Sequence, residues 1–93
     1  MKNRRKTIMI TALREMCAGK KITALDYAKR YDTTRLGARI FDLREIISES
    51  DNAFYICSDK LKDKYGEMYY NYYIPLYSRK SAKILLKKLE EKK

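Results

Sequence analysis

The stretch TTRLGARIFDLR, Thr33 to Arg44, decides how this chain is read. At 3.6 residues per turn, Leu36, Ile40, Leu43 and Ile47 fall on one stripe, spaced four, three and four apart. Arg35, Arg39 and Asp42 lie off that stripe and are expected to face solvent or a partner. Thr33 or Thr34 is the expected N-cap, because a hydroxyl oxygen can accept from the first free backbone N–H groups of a helix. The outcome is an apolar-backed helix with two arginines near its start. That description suits a helix that reads DNA and an ordinary surface helix alike, so the flanking chain has to decide.

Upstream, TALDYAKRY from Thr23 reads as a shorter helix with Leu25, Ala28 and Tyr31 inward, and Thr23 with Asp26 makes a capping-box pattern. Ile22 is a buried anchor before it. Asp32-Thr33-Thr34 then forms a tight turn, so two short helices in succession match a helix-turn-helix. Before this pair, Ile8, Met9, Ala12, Leu13, Met16 and Cys17 give a first helix a broad apolar face from Thr7 onward. It should stop at Gly19, since glycine accepts the positive φ of a helix C-terminus. Residues 1–6 are expected to be a disordered basic arm.

Downstream the period changes. Ser48 to Asn52 is a polar turn, and Ala53 to Ser58 is rich in aromatic and β-branched residues, as strands are. A charged loop from Asp59 to Glu67 leads to a second strand, Met68 to Tyr77, with Met68, Tyr70, Tyr72, Ile74 and Leu76 expected on the core side. Two strands joined by a charged loop after a helix pair make a wing. Ser78 can cap a last helix over about 79–91, with Ala82, Leu85, Leu86 and Leu89 as a narrow apolar stripe under a coat of lysine. The expected fold is therefore α+β, mainly helical: a winged helix-turn-helix domain over 7–77, with three helices and a two-stranded wing, followed by a basic C-terminal helix over 78–93.

With 93 residues the chain suits one domain with a small core. Its net charge of +10 favours a polyanionic partner. Residues 1–6 carry +4 and residues 79–93 carry +5, so only +1 is left for the 72 residues between. Cys17 and Cys57 are too few and too far apart for a metal cluster or a disulfide framework, and read as buried thiols in a reducing cytoplasm. No apolar run approaches the roughly 18 residues that span a membrane, and no signal peptide is read. There is no histidine, no glycine-rich phosphate loop and no cysteine with a general-base partner, so neither catalysis nor a cofactor is expected.

The run ITALDYAKRYDTTRLGARIFDLREI, Ile22 to Ile46, resembles the small winged helix-turn-helix proteins encoded by bacteriophages and other mobile elements. Thr23, Leu25 and Asp26 match the pattern of the second helix in that family. Arg35, Leu36, Ala38, Arg39, Ile40, Leu43 and Arg44 match the third, and Tyr73 to Leu76 resembles the end of the hairpin loosely. Ile47-Ser48 stands where the family usually has glycine, and the lysine-rich C-terminal helix lies outside the pattern. The resemblance implies DNA binding by the third helix, in a transcriptional regulator or replication-associated protein of the bacterial cytoplasm.

For duplex DNA, Arg35 and Arg39 are the expected base readers, since a guanidinium can grip a guanine edge by two hydrogen bonds. Thr33 and Thr34 at the helix start suit a phosphate. Lys60, Lys62 and Lys64 on the wing, and Arg4 and Arg5 on the arm, would add phosphate or minor-groove contacts. Against this, Arg39 can simply pair with Asp42, and Arg44 beside Glu45 suits a structural ion pair. A second class is a protein-binding module, such as a phage inhibitor of a host or defence component (anti-CRISPR-like), which would use Tyr69, Tyr73 and Tyr77 on an outer strand face. Those rings can equally pack under the C-terminal helix, and Leu85 and Leu89 can pack on the domain or join two copies as a homodimer.

Overall fold

In the computed structural model, residues 4–31, 35–51 and 53–91 are described, with the backbone alone at Arg4 and Arg5. The order is α1 (Arg4–Cys17), β1 (Ile22–Thr23), α2 (Ala24–Tyr31), α3 (Leu36–Ser48), β2 (Cys57–Lys62), β3 (Met68–Tyr73), a 3-10 turn (Leu76–Ser78) and α4 (Arg79–Glu91). The fold is α+β and mainly helical, with one antiparallel sheet in the order β1-β3-β2. No helix among the described residues is long and apolar enough to cross a membrane.

The first helix starts at Arg4, earlier than expected, so Arg4 to Lys6 belong to α1 and not to a disordered arm. Its end matches the glycine signal. Gly19 adopts φ +94° and donates to Met16 O at 3.0 Å, while Lys20 N–H reaches back to Glu15 O at 3.1 Å, which satisfies two terminal carbonyls. Thr23 Oγ1 accepts from Asp26 N–H at 3.1 Å and caps α2 as its pattern predicted.

Ile22 and Thr23 do more than anchor. They pair with Tyr72 and Asn71 as a third strand beside the hairpin, where two strands were expected. A two-residue strand has no periodicity to read, and its existence depends on β3 lying alongside it.

The hairpin is displaced along the chain relative to the sequence reading. Ala53 to Ile56 is unpaired, with Phe54 and Ile56 buried, and the ladder begins at Cys57 and runs to Lys62. The charged half of the expected loop is thus strand. The turn chemistry explains this, because Asp63 Oδ1 accepts from Tyr65 N–H at 2.8 Å and from Glu67 N–H at 2.9 Å, and Gly66 takes φ +85°. The chain reverses tightly at 63–67 and the ladder extends almost to the tip. Beyond the core, both faces of the hairpin are wet, so charged residues satisfy it as well as apolar ones. The inward alternation expected of β3 holds only at its base: Ile74 is buried and Tyr72 half-buried, while Met68, Tyr70 and Leu76 are exposed.

The core gathers Ile8, Ala12, Leu13 and Met16 of α1, Tyr27 of α2, Leu36, Ile40, Leu43 and Ile47 of α3, and Ala82 and Leu85 of α4. In α2 Tyr27 is fully buried and Leu25 is 66% exposed, against the expectation of Leu25 inward, while Tyr31 packs against the core as expected. Tyr27 wins because its hydroxyl finds a partner, donating to Glu15 Oε1 at 2.7 Å, while its ring fills the core. Arg30 donates to the same carboxylate, and its guanidinium lies 5.2 and 5.0 Å from the ring centres of Tyr27 and Tyr31. This network joins α1 to α2. The Arg30 hydrogen bonds hold the Glu15 carboxyl below the usual range, and burial with the Glu15 contact pushes the Tyr27 hydroxyl up.

The C-terminal helix packs on the domain. Ala82 and Leu85 are buried, Leu86 and Leu89 lean on the core, and Arg14 of α1 bonds Glu90 at 2.6 Å. The apolar stripe that would have joined two copies is spent inside one.

Candidate functional site

The helix start that organised the sequence reading is built differently from the expectation. α3 begins at Leu36, and its N-cap is Arg35 at φ −110°, with no side-chain cap bond. Thr33 and Thr34 lie outside the described residues, as do the side chains of Arg4 and Arg5. Arg35 is exposed at the head of the helix.

Arg39 does not share an open face with it. Only 8% exposed, it lies among Leu36, Ile40 and Leu43, with Nε 3.0 Å from Asp42 Oδ2 in an ion pair. Position 39 is three residues after Leu36 and four before Leu43, inside the apolar stripe, so its stem packs while its head meets a carboxylate one turn on. That spacing was the signal in the sequence. Arg44 is also committed, donating through Nη2 to Ile56 O at 2.8 Å and so fixing the entry to β2, instead of pairing with Glu45.

The outward side of α3 carries Phe41, 62% exposed, with exposed Glu45 and half-buried Ala38 and Asp42. Asp42 is paired with Arg39, and exposed Arg44 is turned to Ile56 O.

Further exposed cations stand on the hairpin. Directly opposed residues of an antiparallel pair project from the same face. The register pairs Ser58 with Tyr72, Lys60 with Tyr70 and Lys62 with Met68, and these six define one face. The Tyr72 hydroxyl lies 3.8 Å from the place where a Cβ on Gly37 would stand, so the base of this face meets the first turn of α3. Lys60 and Lys62 are exposed there, interleaved with half-exposed Tyr70 and Met68. Lys64 sits in the turn, its Nζ 5.3 Å from the Tyr65 ring centre.

The opposite face carries Cys57, Asp59 and Leu61 across from Tyr73, Asn71 and Tyr69. Tyr69 and Tyr73 do share a face, as period two requires, and Tyr77 stands apart in the 3-10 turn, 82% exposed. None of the three packs under α4 as a closed layer. Lys21 is drawn to this face, 4.0 Å from Asp59 Oδ2 and 5.1 Å from the Tyr73 ring centre. The Asp59 carboxylate raises the Tyr73 hydroxyl above its usual value. Leu85 belongs to the core and Leu89 rests on it, so neither is available to a partner as drawn from the sequence.

Cys17 is buried, which pushes its thiol up and away from reactivity, and Cys57 is half-buried. Among the described residues no group of three or more His, Cys, Asp or Glu side chains is placed to hold a metal ion. Comparison with protein-family models, curated proteins and solved structures returns no match.

Proposed function

We propose that this chain is a winged helix-turn-helix protein that binds duplex DNA, of the kind phages and mobile elements use as transcriptional regulators. In this reading α2 and α3 are the helix pair, the β2–β3 hairpin is the wing, and no catalytic chemistry is assigned. One observation carries it: the hairpin face that bears exposed Lys60 and Lys62 meets the first turn of α3 at its base, through Tyr72 and Gly37. Cations on that face beside a helix start suit a phosphate backbone, where fixed charge and backbone N–H groups act together. Arg39 is left out of the contact set, because its guanidinium is already held by Asp42. The binding is thus weighted to phosphate contacts and shape, with little direct base reading by the body of α3.

The test is fluorescence polarisation with a labelled duplex of about 25 base pairs over a salt series, for wild type and the Lys60→Gln/Lys62→Gln variant. Each phosphate contact contributes about 0.9 to the slope of log affinity against log salt, so the variant should lose about two. An unchanged slope moves the contacts off the hairpin, and no binding at low salt overturns the reading.

A second reading has its own observation. Phe41 stands exposed in the middle of α3's outer strip between Ala38, Asp42 and Glu45, the composition of a protein contact more than of a nucleic-acid one. An inhibitor of a host protein would use that strip and lose its target on Phe41→Ala, while tolerating the hairpin substitutions.

A further inference from the structure

The lysines of α4 form a second cationic surface that the hairpin site does not use. With Ala82, Leu85, Leu86 and Leu89 turned to the domain, Lys80, Lys83 and Lys87 fall on the opposite side of the helix, all exposed. Their i, i+3, i+7 spacing sets them in a row about 10 Å long at a rise of about 1.5 Å per residue. Four basic side chains elsewhere face carboxylates: Arg14 with Glu90, Lys21 with Asp59, Arg30 with Glu15, Arg39 with Asp42. Among the described residues, Lys80, Lys83 and Lys87 form no ion pair. Lys88 differs, lining a groove with Glu49, Asp51 and Glu91. Residues 79–93 carry +5 of the net charge of +10, and three like charges this close are relieved by a polyanion that displaces their counterions. α4 packs on α1 and the 3-10 turn, whereas the hairpin packs on β1 and α2, so the two cationic surfaces stand on different supports.

We propose that Lys80, Lys83 and Lys87 hold the phosphate backbone of a second DNA duplex, so that one molecule bridges two. The proposal rests on the hairpin reading for the first duplex. The test uses the full chain and two duplexes of about 30 base pairs, one immobilised and one fluorescent, at a salt concentration where single-duplex binding is tight. Wild type should capture the fluorescent duplex on the immobilised one. Lys80→Gln/Lys83→Gln/Lys87→Gln should reduce capture about tenfold while leaving single-duplex affinity within about threefold and its salt slope unchanged. These side chains are exposed, and circular dichroism checks that the variant folds. Single-duplex binding by wild type without capture overturns the bridge and spares the hairpin reading. Capture that survives the triple substitution also overturns it, since the bridge would then arise from self-association through hairpins. A single-duplex salt slope that falls by about three in the variant places α4 on the same duplex as the hairpin, and again the bridge fails. No duplex binding at all overturns both readings.

Discussion

In the first turn of α3, Gly37 forgoes about 1 kcal/mol of helix stability relative to alanine. Nothing among the described residues asks for it: of these a Cβ there would meet only the Tyr72 hydroxyl, at 3.8 Å, an ordinary contact, and the residue is exposed. Glycine at such a position suits close approach of something from outside. Gly37→Ala should therefore raise the free energy of unfolding by about 0.5–1 kcal/mol, read from urea melts. If a duplex backbone seats against this turn, the same variant binds it several times more weakly, so stability and affinity move in opposite directions. An affinity that follows stability upward would remove the first turn of α3 from the interface. Arg39 shows the opposite pattern, a residue whose look in the sequence is functional and whose place is structural, since Asp42 three residues on neutralises it where it lies buried.

Among the elements, α4 was the one whose role the sequence left open between docking and dimerisation. Leu85 is buried and shares the core with α1. Leu85→Ala should cost about 2–4 kcal/mol, through lost transfer energy and the cavity left behind. The melting temperature of wild type and variant alike should be independent of protein concentration over a hundredfold range, about the span that would expose a dimer by mass action. A concentration-dependent melt would mean that the stripe serves two chains. The hairpin is held differently, by a ladder, by the Asp63 turn and by Gly66, with little apolar burial toward its tip. It is the element that can be recharged with least harm to the fold, which is why the hairpin lysines are suitable to substitute.

At the scale of the whole molecule, Glu15, Tyr27 and Arg30 tie the first helix to the second through a half-buried carboxylate. Because the Glu15 pKa is lowered on folding from its ordinary value of 4.5, chiefly by the Arg30 hydrogen bond, the charged form is what folding favours. Its contribution is fully present above about pH 4.5 and is lost as pH falls through the lower, folded value. Glu15→Gln should be less stable than wild type by about 1–2 kcal/mol at pH 7, a gap that narrows as the pH is taken below 4.5. Urea midpoints at neutral pH and near pH 3 measure it. A gap that stays constant would assign the network to packing and not to charge. Along the chain the charge of +10 is uneven, with +5 in residues 79–93, and among the described residues Lys80, Lys83 and Lys87 there form no ion pair.

By itself the sequence determined the elements whose signals are local. The helical stripes of α1, α3 and α4 follow from a period that any amphipathic helix must keep, Gly19 marked a helix end that needs positive φ, and Thr23 marked a cap whose partner lies three residues away. Tertiary structure alone decided what depends on partners distant in the chain. β1 exists because β3 lies beside it, Tyr27 displaced Leu25 because Glu15 waits on another helix, and β2 begins at Cys57 because Tyr73 lies across from it. The same reason divides the candidate site. The place of Arg39 between Leu36 and Leu43 was legible, but the side of the hairpin on which Lys60 and Lys62 lie was not, because it depends on the register with β3.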